Sequence, residues 1–95
     1  MTEQERDEKL NNIDRGYHQS MQEYEQKMDE IKSRAQEKQD RGEDISAEVE
    51  EYKNVKASQD RRVDEWAQDR QNVYDEYAKD KESEQEKDVE EEKGI

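Results

Sequence analysis

Large apolar residues in the first half of the chain recur at alternating spacings of four and three from Tyr17 onward, with Leu10 one heptad earlier, which places them along one face of a helix. These residues are Leu10, Tyr17, Met21, Tyr24, Met28, Ile31 and Ala35. The second half continues the alternation with Ile45, Val49, Tyr52, Val63, Trp66, Val73 and Tyr77, and with Lys56, Gln59 and Arg70 at polar positions. No alternating strand pattern is present. The pattern predicts two helices, each with one narrow apolar seam.

Between the two seams, residues 39–46 read QDRGEDIS. Gly42 has the freedom to take the positive φ that commonly follows a helix end. Asp44 or Ser46 can cap the next helix by accepting from its free backbone N–H groups. We therefore predict an all-α protein, an antiparallel helical hairpin that forms a two-helix coiled coil. Its helices span about residues 3–40 and 46–79, with a turn at 40–44 and an acidic tail, helical or frayed, at 80–95.

An antiparallel register aligns the seams of the two helices. It sets Tyr17 against Trp66 and Asp14 against Arg70, an acid meeting a base within an otherwise apolar seam. It also pairs Met21 with Val63, Ala35 with Val49, Ile31 with Tyr52, and Leu10 with Val73. The register is therefore predicted to be fixed by one polar layer.

The core of such a hairpin is thin, since 25% of the residues are hydrophobic and 49% are charged. Burial along one seam barely offsets the entropy of ordering the chain. We therefore expect self-association into a helical bundle, most simply a homodimer. Gly16 weakens the first helix, which predicts a short, separate N-terminal helical segment.

The acidic residues are concentrated in the second half of the chain. Residues 1–41 carry 11 acidic and 8 basic side chains, and residues 42–95 carry 19 and 9. A surface this acidic repels nucleic acid and anionic lipid and favours a protein partner with a basic surface. No apolar run is long enough for a membrane span or a secretory signal. We therefore expect a soluble, cytoplasmic protein.

No constellation of residues indicates catalysis, a cofactor or a metal. The single His18 has no cysteine or second histidine to act with, and a two-helix seam has no pocket that would shift the pKa of a carboxyl group. Asp40, Gly42 and Asp44 resemble part of a calcium loop, but the glycine falls at the wrong place. We expect a protein that is not an enzyme.

The strongest candidate for partner contact is the end of the hairpin away from the turn, where apolar and aromatic residues adjoin the acidic tail. The candidate residues are Leu10, Ile13, Val73, Tyr74, Tyr77, Asp80, Glu82 and Glu84. Exposed tyrosines are frequent anchors of protein interfaces. The leading hypothesis is a protein-binding hairpin, such as an inhibitor or DNA-mimicking decoy of a basic nucleic-acid-binding partner like a host defence nuclease. The alternative is an assembly or scaffold protein built from homo-oligomeric bundles.

Overall fold

Two long helices packed against each other make up the protein. The computed structural model describes the backbone of residues 1–93 and the side chains of residues 1–82. Helix α1 spans Glu3–Asp40 and helix α2 spans Ser46–Lys93, with no strand in the described part. The predicted all-α hairpin is confirmed. Helix α2 runs past Lys79 without a break. The chain end predicted to be frayed includes Gly94 and Ile95, which lie outside the described residues.

The first helix begins with a side-chain cap. The Thr2 Oγ1 atom accepts a hydrogen bond from the Glu5 backbone N–H at 3.1 Å. Glu3 and Glu5 lie in the first turn, where carboxylates interact favourably with the positive end of the helix dipole. The cap satisfies one of the four N–H groups that a helix leaves free at its start.

The turn combines a glycine exit with an aspartate cap. Gly42 has φ +72°, and the backbone N–H of the following residue, Glu43, donates a hydrogen bond to the carbonyl oxygen of Lys38 at 2.8 Å. Asp44 Oδ1 then accepts from the Ser46 backbone N–H at 3.1 Å and from its hydroxyl at 2.7 Å. Both bonds lower the pKa of Asp44. Of the two predicted caps, the one that accepts these bonds is Asp44.

The two helices pack in the register predicted from the polar layer. The rings of Tyr17 and Trp66 stack with centroids 4.6 Å apart, and Arg70 Nη1 lies 2.6 Å from Asp14 Oδ1. The most buried apolar side chains are Leu10, Ile31 and Val73, at 7%, 3% and 7% exposure. The core is therefore a single line of contacts between two helices.

The α2 side of the seam differs from the prediction between residues 48 and 63. Val49 and Val63 are 42% and 37% exposed, whereas Glu48 is only 4% exposed. Val55 and Arg62 are half-buried. Positions 48, 55 and 62 therefore face α1, each one residue before the predicted seam positions 49, 56 and 63. Two polar contacts account for this shift: Glu48 forms an ion pair with Lys38 of α1, and Arg62 Nε lies 3.4 Å from the Ser20 hydroxyl.

The predicted separate N-terminal segment is wrong, because α1 continues unbroken through Gly16. Contacts with α2 hold the helix on both sides of the glycine, through Asp14 before it and Tyr17 after it. The Ser20 hydroxyl also donates to the Gly16 carbonyl oxygen at 3.0 Å. Interhelical packing thus outweighs the low helix propensity of one residue.

The two described glycines should respond in opposite directions to alanine. A methyl group at Gly16 would have Arg62 Nη2 as its nearest neighbour at 3.9 Å, an ordinary contact, so Gly16→Ala should stabilise the hairpin by about 1 kcal/mol. Gly42→Ala should destabilise it by about 1 kcal/mol, because φ is +72° there. Urea unfolding followed by circular dichroism measures both. Equal effects at the two positions would contradict the described backbone.

Candidate protein-binding surface

The predicted apolar cluster at the distal end, away from the turn, divides into buried and exposed parts. Leu10 and Val73 are each 7% exposed and belong to the core between the helices. Ile13 is half-buried, while Tyr74 is 43% exposed. Of the predicted apolar contacts, Tyr74 therefore offers the largest free surface to a partner.

Tyr77 is held by the hairpin itself. The Arg6 guanidinium lies 4.7 Å from its ring centroid and the Lys81 ammonium lies 5.1 Å away. The Tyr77 hydroxyl donates to Glu3 Oε1 at 3.4 Å, and its interaction with Lys81 raises the pKa of that lysine. The ring therefore joins the two helix ends, and its half-buried face is less accessible than that of Tyr74.

The predicted acidic contacts are differently placed. Asp80 is half-buried and accepts from the Met1 ammonium at 2.7 Å. Glu82 is exposed on α2. Glu84 lies within the backbone range of α2, and its side chain falls outside the described residues. The structure brings Asp80 into the hairpin and leaves Glu82 on its surface.

The polar layer beside this end is structural. Asp14 Oδ1 accepts from the Trp66 indole N–H at 2.8 Å, and both Asp14 oxygens lie within 2.7 Å of Arg70 Nη1. The indole hydrogen bond and the guanidinium lower the pKa of Asp14, while partial burial opposes them. The hydrogen bond to Asp14 in turn raises the pKa of Arg70. The layer therefore carries opposite charges that stabilise each other across the seam.

A row of exposed apolar residues on α2 was missed by the sequence prediction, because the heptad pattern assigned two of its members to the seam. The separations of its large residues, 14 and 11 positions, correspond to nearly whole numbers of helical turns, so they lie along one side of α2. That near-integral spacing was the signal available in the sequence. We call this set the α2 row: Val49, Val63, Ala67, Tyr74 and Ala78, all exposed.

The turn end of the α2 row opens onto a groove between the helices. The groove has a volume of about 520 Å³. Its walls are mainly apolar, with charged side chains at the edges: Ile31, Lys32, Ala35, Glu48, Val49, Tyr52 and Lys53. Glu48 Oε2 is buried there without a hydrogen-bond partner. The groove extends the apolar surface of the α2 row onto α1.

Catalytic and metal-binding geometry is not apparent in the described part of the chain. His18 is exposed, and its ring centroid lies 5.7 Å from that of the neighbouring Tyr17. No three histidine, cysteine or acidic side chains among the described residues are grouped to hold a metal ion. None of the described helix is long and apolar enough to cross a membrane.

Comparison of the chain with protein families, curated proteins and solved structures finds no match. Two surfaces stand out as candidates: the distal end around Tyr74 and Glu82, and the α2 row.

The polar layer predicts a specific pH dependence. Because the folded-state pKa of Asp14 lies below its ordinary value of 3.8, its carboxylate stabilises the hairpin at neutral pH, and this stabilisation is lost as pH falls through the folded-state pKa. Asp14→Asn should therefore lower the melting temperature at pH 7, and this effect should shrink as the pH falls below 3.8 through the folded-state pKa. Thermal melts of both proteins across this range measure the difference.

Asp69→Asn is the matched control for this experiment. Asp69 is exposed and makes no hydrogen bond or ion pair within the described residues, yet its substitution removes the same charge. Its effect on the melting temperature at pH 7 should be much smaller than that of Asp14→Asn. Equal effects of the two substitutions would mean that only net charge matters.

Proposed function

We propose that the protein is a non-enzymatic, acidic helical hairpin that binds another protein through a basic surface on that partner. The observation that carries this proposal is the distal end of α2. There the 43% exposed ring of Tyr74 lies on a segment whose exposed side chains include Asp75, Glu76 and Glu82. An exposed aromatic ring on a segment that also carries exposed carboxylates is suited to a partner whose positive charges provide attraction and whose surface receives the ring.

Among the side chains that the structure describes, no secluded reaction site is present, which favours binding over catalysis. General acid–base chemistry needs an ionisable group partly shielded from water and close to a bound substrate. The described carboxylates with shifted pKa values are Asp14, Asp44 and Glu48, and each is engaged in a structural contact of the hairpin. These groups stabilise the polar layer, the turn and the start of α2.

The decoy hypothesis is a narrower form of this proposal. A net charge of −13 along an extent of 85 Å gives one net charge per about 6.5 Å, whereas duplex DNA carries one per about 1.7 Å. A close imitation of DNA would need a higher density of negative charge. We therefore propose binding to a basic protein surface in general, with an inhibitor of a nucleic-acid-binding protein as one instance.

A second candidate function is assembly through copies of the same chain. The exposed α2 row favours it, since apolar side chains aligned on one side of a thin hairpin are suited to burial against further helices. A homodimer or larger helical bundle would then act as a scaffold. For either function, a cytoplasmic location remains a prediction from composition.

Binding to a basic surface should depend on the distal carboxylates. In the full chain, the combined substitutions Glu76→Gln, Glu82→Gln and Glu84→Gln should slow association with a lysine- and arginine-rich peptide severalfold. Electrostatic steering mainly raises association rates, and its effect should also decline with salt. Surface plasmon resonance at several salt concentrations measures both effects.

A control with the same change in net charge tests the location of the site. It neutralises three exposed acidic residues on α1, namely Glu23, Glu25 and Asp29. This control should change the association rate less than the distal set, while Tyr74→Ala should speed dissociation. Equal rates for both charge variants, or affinity indifferent to salt, would contradict the proposed site.

A further inference from the structure

Along α2, apolar side chains of the α2 row are exposed, whereas a charged side chain next to the row is buried against α1. Val49 and Val63 are exposed, while the neighbouring Glu48 is 4% exposed and has one carboxylate oxygen without a hydrogen-bond partner. A buried unsatisfied oxygen is unfavourable, and so is leaving a valine in water. An isolated hairpin would gain from the opposite arrangement. Covering the α2 row would remove one of these two penalties.

We propose that a second copy of this chain packs antiparallel against the α2 row, with a two-fold axis at Val63, so that two hairpins form a four-helix bundle. This inference rests on the second candidate function above and assigns it an interface. The α2 helices of the two copies lie at the centre, and the α1 helices lie on the outside.

The α2 row has the internal symmetry that such an interface requires. In a two-fold interface the same patch on each copy must be complementary to itself. Val49 lies 14 residues before Val63 and Ala78 lies 15 residues after it; Lys53 and Tyr74 lie 10 before and 11 after. In an antiparallel pair, Val63 of one chain therefore contacts Val63 of the other. Each Val49 meets the end of the row at Tyr74 and Ala78.

The unpaired charges beside the row are complementary in this arrangement. Lys53 and Asp75 are both exposed, and neither forms an ion pair within the described residues; Asp75 accepts only from the Gln71 amide, at 3.0 Å. The antiparallel dimer brings Lys53 of one copy beside Tyr74 and Asp75 of the other. Two such contacts form, one at each end of the interface.

Like charges also approach across the interface: Lys56 of each copy meets Arg70 of the other, and Asp60 lies near Asp64 of the other copy beside the axis. Lys56 and Arg70 each already have an acidic partner in their own hairpin. Arg70 is bound to Asp14, and Lys56 Nζ lies 3.6 Å from Asp60 Oδ1. These local partners offset most of the repulsion, so the favourable Lys53–Asp75 contacts determine the direction of packing.

The charges near the turn disfavour a basic helix from a foreign partner at this site. Lys32 and Lys53 line the groove at that end, and Lys56 lies between Val49 and Val63 on α2. A basic helix would meet these lysines, whereas a reversed second copy brings Asp75 to Lys53. Long-range repulsion between two chains of net charge −13 is screened beyond about 8 Å at physiological ionic strength.

Dimerisation would leave a surface for the basic partner. Tyr74 becomes part of the interface between the two copies, while the exposed carboxylate of Glu82 lies beyond Ala78, the last residue of the row. A dimer would therefore present two acidic ends, one at each end of the bundle. Burial of Tyr74 in the dimer and anchoring of a partner by the same ring therefore exclude each other, whereas electrostatic attraction of a partner by Glu82 is compatible with both.

The first test uses the absence of cysteine from the chain. Sedimentation equilibrium of the full chain at physiological salt should show a reversible dimer. Val63→Cys should form a disulfide-linked dimer rapidly under mild oxidation, because the two-fold axis brings the two thiols together. Gln68→Cys, an exposed control on a different side of α2, should crosslink at least about tenfold more slowly. A monomer at all concentrations, or equal crosslinking at both positions, would overturn the proposal.

The second test exchanges the charges at the interface. Lys53→Glu and Asp75→Lys should each weaken the dimer by about tenfold, since two favourable contacts become repulsive in each variant. The double variant should restore dimerisation close to the original affinity. Failure of this restoration would overturn the antiparallel packing. Binding of a lysine- and arginine-rich peptide to the Lys53→Glu variant, in which the distal acidic residues are unchanged, reports separately on the proposed function and distinguishes its failure from failure of the dimer.

Discussion

The polar layer of Asp14, Arg70 and Trp66 is the contact on which the register of the hairpin depends. A seam of apolar side chains that repeats every heptad could slide by one heptad and still bury apolar surface, because every heptad offers apolar contacts. Asp14 removes this freedom, since a slipped register would leave its carboxylate against apolar groups without the guanidinium or the indole N–H. The layer therefore selects one alignment among several that bury apolar surface.

The rest of the structure follows from having so little apolar material to place. Only Leu10, Ile31 and Val73 are buried apolar side chains among the described residues, so ion pairs and aromatic contacts supply much of the interhelical specificity. Exposed ion pairs such as Arg34–Glu51, at 3.0 Å, contribute little individually. A hairpin of this kind is suited to burying more surface against another protein, whether a second copy or a foreign partner.

Much of the fold could be predicted from the sequence because the heptad spacing, Gly42 and the facing Asp14 and Arg70 all favour the same hairpin. The exact seam of α2 could not be predicted, since hydrophobic spacing alone assigns Val49 and Val63 to the seam in place of Glu48 and Arg62. The contacts of Glu48 with Lys38 and of Arg62 with Ser20 depend on the rotation of α2, which spacing does not fix. The α2 row became visible only once this rotation was known. The distal site remains a prediction, with Tyr74 as its most exposed ring.

The most direct measurement of the register is a nuclear Overhauser spectrum of the chain, because its single tryptophan gives one indole N–H signal. The Trp66 indole proton should show cross-peaks to the Tyr17 ring, which stacks on Trp66 at 4.6 Å. A sample mixing isotopically labelled and unlabelled chains should show that these cross-peaks arise within one chain. Cross-peaks to Tyr24 or Leu10 in place of Tyr17 would mean that the helices are aligned one heptad away, and would contradict the account.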